Sequence, residues 1–421
     1  MRASRCVFGL VGAVVLVGLL MACGNSDVPS VSASASGSGS GSASASGTVT
    51  GFGSVFVNGK KYEANNVTVA IDDESERSCT INPSDSCGLK RGMIVTVNGF
   101  FNETQHSAVS VRQKDAVEGI VQSVAADGLS LVVIGQTVLV DDTTIIDNNI
   151  TGQDVRNLVA GTDVVEVNGH IRPNGVVQAT FIEKKLVSTA TPEVRGYVSN
   201  HNDGVKTFNI GDLTVNYATG LINDMPVPTG SNWNGLLVEA KGSPFNAVTT
   251  TLTATKVEPE QDGVGSNVDD FEVEGIVTQV LGSGDFVIGR THVQTTASTE
   301  FRGGTIDEIV VGAKVSAEGR WANGIQTAKH VKFHASVRLE GDIASISGSV
   351  FTLVGLSGVN AQVNSQTEFN NTSLADLSIG DHVRVRGRVS DNHSMTATRV
   401  DLRSTDNNVD VQGRSNQSPE T

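Results

Sequence analysis

Aromatic side chains are scarce, at 5% of 421 residues with 2 Trp and 3 Tyr, which leaves little for rows of rings that stack on bases. Positive charge is also short: 30 Lys+Arg face 45 Asp+Glu, a formal net charge of −15. Sequence-independent binding to duplex DNA needs a basic face that neutralises phosphates, so no nucleic-acid partner is expected. Proline (9) and cysteine (4) are sparse, and beyond the N-terminal region no apolar run reaches the roughly 20 residues of a spanning helix. No phosphate-cradling glycine loop, His-Glu-x-x-His pair or Gly-x-Ser-x-Gly nucleophile elbow occurs. The expectation is a chain with no catalytic residues, no metal and no cofactor.

Glycine, by contrast, is abundant, and its 46 copies fall in a pattern. Gly-x-Val/Ile opens a segment at Gly47, Gly119, Gly196, Gly275 and Gly341. A Val-rich alternating stretch bounded by glycines follows at Gly92–Gly99, Gly161–Gly169, Gly235–Gly242, Gly312–Gly319 and Gly380–Gly387. Ala-x-x-Val/Ile comes third, at Ala108, Ala179, Ala254, Ala328 and Ala397. Three landmarks in one order, five times over, define a repeat. Apolar residues inside each copy alternate with polar ones, as Val383 and Val385 do with Arg384 and Arg386, which is the period of half-buried strands. Asn-Gly and Asp-Gly pairs, such as Asn58-Gly59, Asp203-Gly204 and Asn323-Gly324, predict tight hairpins and antiparallel neighbours.

About five strands in such a short copy cannot build two covered sheets, whereas a small closed barrel leaves no edges. The expected fold is all-β: five tandem small antiparallel OB-like β-barrels at 47–115, 116–187, 193–260, 272–335 and 338–403, with a polar tail at 404–421. With a central Thr-x-Phe/Leu at Thr219, Thr299 and Thr367, these landmarks resemble tandem copies of the bacterial domain-of-unknown-function 5666 family, across 47 to about 403. That resemblance implies an exported, OB-like repeat protein and transfers no catalytic residue. Ala397 and Val400 have opposite parity on a strand, which demands a bulge or a strand that starts after the alanine.

The run Val7 to Ala22 follows Arg2 and Arg5 and ends in Leu20-Met21-Ala22-Cys23, which resembles a bacterial lipoprotein processing box. The resemblance implies a signal peptide at 1–22 and a lipid anchor on Cys23; an uncleaved anchor helix is the competing reading. Gly24 and Asn25 follow in place of an inner-membrane retention Asp, so the bacterial outer membrane is expected, on its periplasmic or surface face. Residues 23–46, mostly Ser, Ala and Gly, are expected to be a flexible linker. In an oxidising compartment Cys79 and Cys87, eight positions apart, are expected to pair; no further ligand lies near enough for zinc.

Five residues are candidate ligand contacts: Trp233 and Trp321, which either reach a partner or cover a barrel end, and the basic stripe Arg384, Arg386 and Arg388. His330 and His334 sit four positions apart, too far along a strand to share an ion. The acidic stretch Glu258, Glu260, Asp262, Asp269, Asp270 and Glu272 is expected to be a solvated linker, with calcium as its sharper alternative. The reading that follows is a non-enzymatic binding or scaffolding array, held to the membrane by lipid and facing an unknown envelope protein or polysaccharide. Binding of cell-wall polymer by one or two barrels is the alternative, and an enzyme acting on that polymer the reading from another class.

Overall fold

A computed structural model describes residues 41–403 and 410–412, except 73, 102–104, 142, 173, 189, 261–262, 336, 357 and 392–393. The expected leader at 1–22, Cys23 and most of the polar tail therefore lie outside the described residues. What is described is all-β, with several small closed barrels, short 3-10 turns and no α-helix.

Residues 117–185 show how a barrel closes. Strand Val117–Val124 pairs with Ser130–Val133, which pairs with Gln136–Leu139. The third strand then runs parallel to Val177–Lys185, which pairs with Val164–Ile171, and this last strand returns to Val117–Val124. The same circuit links Gly41–Phe52, Val55–Val57, Lys60–Glu63, His106–Gln113 and Ile94–Phe101. It recurs at 267–333 and 337–402, and at 193–259 with the first strand split into Glu193–Tyr197 and Ser199–Asn202. The expectation of antiparallel neighbours throughout is corrected at one step per circuit, the parallel one. A parallel partner needs a long crossover, and here the loop with turns Thr151–Gln153 and Val155–Asn157 and a further strand supply it.

Alternation fills each barrel as expected. Val383 and Val385 are buried while Arg386 is exposed, and Val315 and Ala317 are buried on one strand face. Each such valine contributes about 1.5 kcal/mol or more by leaving water. Asn58-Gly59 and Asn323-Gly324 take positive φ at both positions, as a two-residue hairpin turn requires, whereas Asp203-Gly204 does not.

The parity problem at the alanine landmark resolves as a bulge. Gly387 pairs with Ala397 but Arg386 with Arg399, so Thr398 is the extra residue. The same shift separates Gly99/Ala108, Gly169/Ala179, Gly242/Ala254 and Gly319/Ala328 from the pairs before them. The bulge drives the carbonyl of the residue before the alanine against the opposing glycine: a Cβ at Gly99 would lie 1.8 Å from Ser107 O, and at Gly319 2.0 Å from Thr327 O. It also frees the alanine carbonyl from the ladder, and a threonine hydroxyl takes it up, Thr299 to Ala328 at 2.6 Å, Thr367 to Ala397 at 2.7 Å and Thr144 to Ala179 at 2.9 Å. The closing glycine of the second landmark, the alanine of the third and, in three repeats, a threonine are thus parts of one bulged corner.

Two connections join repeats into larger sheets. Val117–Glu118 of the second repeat lies beside Glu193–Val194 of the third, and a single apolar core spans both. Less expectedly, Ala43–Ser46 lies parallel to Asp270–Val273, joining the first repeat to the fourth. Residues 41–46, expected to be flexible linker, are therefore strand. The Ser-Ala alternation that looked like low complexity is a strand period: Ala43 and Ala45 enter the core, and Ser44 Oγ donates to Val97 O at 2.8 Å.

In the first repeat Cys79 and Cys87 are bonded, with Cα atoms 6.4 Å apart, and the loop between them carries buried Ile81. Replacing both with serine should lower the unfolding free energy by roughly 2–3 kcal/mol through the loop entropy restored to the unfolded chain. Denaturant titration under oxidising conditions reads this directly, and unchanged stability would contradict it.

Candidate functional site

The chemistry-bearing side chains gather where repeats meet. At the junction of the first three repeats, Lys241 on strand Leu237–Asn246 places its ammonium 2.6 Å from Glu193 and 3.3 Å from both Glu239 and Asp72. Lys114, on the link between the first and second repeats, reaches Glu239 at 2.9 Å and Glu260 at 2.6 Å, and Arg195 adds a 3.4 Å contact to Glu260. Burial opposes charge on Glu239, but Lys114 and Lys241 outweigh it and hold the carboxyl below the usual range. Asp115 stands differently: burial pushes it well above the usual range, and Asp72 adds to the rise. Glu193 is raised in the same way, by burial first and then by Asp115.

A second junction follows the parallel contact of the first and fourth repeats. Asp270 accepts from Lys60 at 3.1 Å and meets His106 at 2.5 Å, while Lys60 also reaches Glu318 at 2.8 Å. Burial pushes neighbouring Glu272 up to about 8; Lys60 opposes this, and Glu318, Glu274 and Asp270 reinforce it. The folded chain thus keeps a proton that the unfolded chain releases. Its stabilising contribution is full below the ordinary glutamate pKa and is lost as pH rises to about 8. Glu272→Gln should therefore gain on the native chain by on the order of 3 kcal/mol between about pH 5 and about pH 8.5. Denaturant unfolding of both proteins at the two pH values tests this, and a difference that does not change with pH would contradict it.

A third cluster surrounds Glu274. Thr48 Oγ1 donates to it at 3.2 Å, Lys314 lies at 3.2 Å and His170 at 3.5 Å, beside a cavity of about 320 Å³ that Arg91 and His334 also line. Burial opposes the Glu274 charge, yet Lys314, His334 and His170 hold it well below the usual range, while burial pushes His334 down to about 4. A larger open cleft, about 790 Å³, lies among the second, third and fourth repeats and includes Tyr197, Asp212, Gln279 and Arg290. Tyr197 donates to Gly289 O across it at 2.9 Å, and Arg290 donates to Glu260 O.

Of the residues singled out from sequence, few face solvent. Trp233 is fully buried, so its role as an exposed contact is corrected: its ring stacks on His201 at 4.5 Å and its Nε1 donates to Pro226 O at 2.8 Å. Pro226, in the segment between strands Leu221–Ile222 and Leu237–Asn246, thus anchors the tryptophan. Trp321 is partly buried, edge-on to Phe271 at 5.6 Å. The basic stripe does not act as one face. Arg384 grips Glu340 with Nε at 2.8 Å and Nη2 at 3.2 Å, and Arg386 is exposed. Arg388 is buried and clamps the fifth repeat to the fourth, meeting Glu308 at 2.5 Å, the Gly303 carbonyl and the Phe333 ring at 4.4 Å.

The paired histidines also part, His330 towards Glu300 at 3.2 Å and His334 towards Ser316 at 3.1 Å. Nor is the acidic stretch a solvated linker: Glu260, Asp270 and Glu272 are enclosed in the junctions described above, Asp269 accepts from Ser42, and Asp262 lies outside the described residues. Cys23 likewise lies outside them. Sequence reading missed the Lys241, Lys114 and Asp115 cluster, because Lys114 and Asp115 end the first repeat while Lys241 lies in the third, so no local spacing joins them.

Closed barrels in tandem, tied by charged junctions, place the chain among β-repeat proteins. Residues 118–183, 274–332 and 340–401 each match the family described as Domain of unknown function (DUF5666), so these three segments are repeats of that family. No curated protein matches the chain.

Proposed function

We propose that the chain is a non-enzymatic, lipid-anchored envelope protein whose five OB-like barrels form a binding or scaffolding array. The recurring five-strand circuit, including the two segments outside the family matches, supports the count and the OB-like reading. One observation carries the functional reading: lysines of the junctions are spent on acids across repeats, as Lys241 is on Asp72 and Lys114 on Glu239 and Glu260. Barrels locked in this way present a fixed arrangement of faces to a partner, and multivalent contact then adds avidity without a strong single site. Polymer binding is the second reading, favoured by the 790 Å³ cleft with its tyrosine and arginine.

Crosslinking in intact cells, with identification of the adducts by mass spectrometry, tests the proposal. A stoichiometric envelope protein on the barrel faces is the expected result, and retained glycan without protein would favour the second reading. Release of fragments from cell-wall polymer by the purified chain would overturn both. In the same cells Cys23→Ser should move the chain from the membrane to the soluble fraction; membrane retention would refute the anchor.

A further inference from the structure

We propose that Asp72, Asp115, Glu193 and Glu239 form a binding site for a hard divalent cation of the calcium class, at the junction of the first three repeats. One carboxylate oxygen from each of Asp72, Glu193 and Glu239 falls within 4.8 Å of the others. Asp115 supplies the independent sign of a missing ligand. It is 1% exposed, and neither of its carboxyl oxygens has a hydrogen-bond partner. Glu193 Oε1 is unpartnered as well, although its Oε2 holds Lys241 at 2.6 Å.

Glu193 is itself one of the three grouped carboxylates, and Asp115 lies within electrostatic reach of both Asp72 and Glu193. Three carboxylates share the ammonium of Lys241, and Lys114 reaches only Glu239 among them. Buried carboxylate oxygens without a donor are costly, and a dication would satisfy them while Lys241 stays in place. The donor set is all carboxylate, without His or Cys, which selects hard cations such as Ca²⁺ over zinc or copper. Asp72, with 23% of its side chain exposed, gives the ion a way in. The acidic stretch at 258–272, the place sequence suggests for calcium, is less suited, because none of its described carboxylates belongs to such a group of three.

The test titrates CaCl₂, and separately MgCl₂, into the EDTA-stripped full-length chain, followed by calorimetry and thermal unfolding. The expected result is one saturable Ca²⁺ site in the region of about 10⁻⁴–10⁻³ M, as in extracellular calcium modules, with a rise in melting temperature. Asp115→Asn should weaken binding at least about ten-fold without lowering the cation-free melting temperature, because the amide fills the same space without the charge. Glu193→Gln should also weaken it, and Asp72→Asn, at the exposed side, decides the matter if the buried variants do not fold. No saturable response in the native chain would overturn the proposal. So would variants that bind as the native chain does, or loss of binding on Glu258→Gln, which would put the ion in the acidic stretch.

Discussion

Gly319→Ala should destabilise the fourth barrel by roughly 3–5 kcal/mol, a large effect for a single methyl group. The added Cβ would stand 2.0 Å from Thr327 O and 2.9 Å from Ala328 Cα, both backbone atoms held by the bulge and not by a movable side chain. Relief would require the bulge to straighten, which shifts the register within strand Ile325–Phe333 and puts Ala328 and Val331, both now in the core, on opposite faces, so that one of them turns towards solvent. Gly312→Ala is the informative control. Its φ is +92° but no atom lies within 4 Å of the new Cβ, so only backbone strain of about 1–2 kcal/mol is expected. Calorimetric unfolding of the two variants separates collision from strain, and equal losses would show that the carbonyl contact is not what demands glycine at 319.

Lys241→Met should cost roughly 3–5 kcal/mol at neutral pH, because it strips a buried counter-charge from carboxylates that stay behind. Lys241 is enclosed, with 7% of its side chain exposed, between Glu193 and Glu239, exposed by 4% and 2% or less. The long apolar methionine preserves most of the packing, so the loss reports charge. Lys61→Met is the contrast: that lysine pairs with Glu63 at 48% exposure, where an ion pair is worth less than about 1 kcal/mol. Adding Glu193→Gln to Lys241→Met should recover part of the loss, since it removes one of the stranded charges. If Lys241→Met were no worse than Lys61→Met, the junction would not be an ionic one.

Local order was legible from sequence wherever one strand or hairpin decides it. The alternation of Val383 and Val385 with arginines placed the core face, and the recurring glycine and alanine, such as Gly387 and Ala397, mark the bulge inside the strands and not the strand ends. What joins the repeats was not legible, because it depends on residues far apart in the chain. The Ser/Ala tract at 41–46 has the composition of a linker, and only the presence of Asp270–Val273 alongside makes a strand of it. Arg388 has the spacing of an exposed stripe and becomes a clamp only because Glu308 and Phe333 of the preceding repeat stand opposite. Trp233, one of only two tryptophans, drew attention as a surface contact, but His201 and Tyr217 close over it. Periodicity reports which face a side chain occupies and says nothing of which neighbouring barrel covers that face.

Hydrogen–deuterium exchange at residues 43–46 tests the joining of the first and fourth repeats most directly. In the structure these residues lie between strand Ile94–Phe101 and strand Asn267–Gly282. Their amides should exchange as slowly as those of the barrel strands, through cooperative opening. Exchange at the rate of an unstructured Ser/Ala/Gly chain, with the barrels still folded, would contradict the joined body and return the repeats to separate beads on a linker.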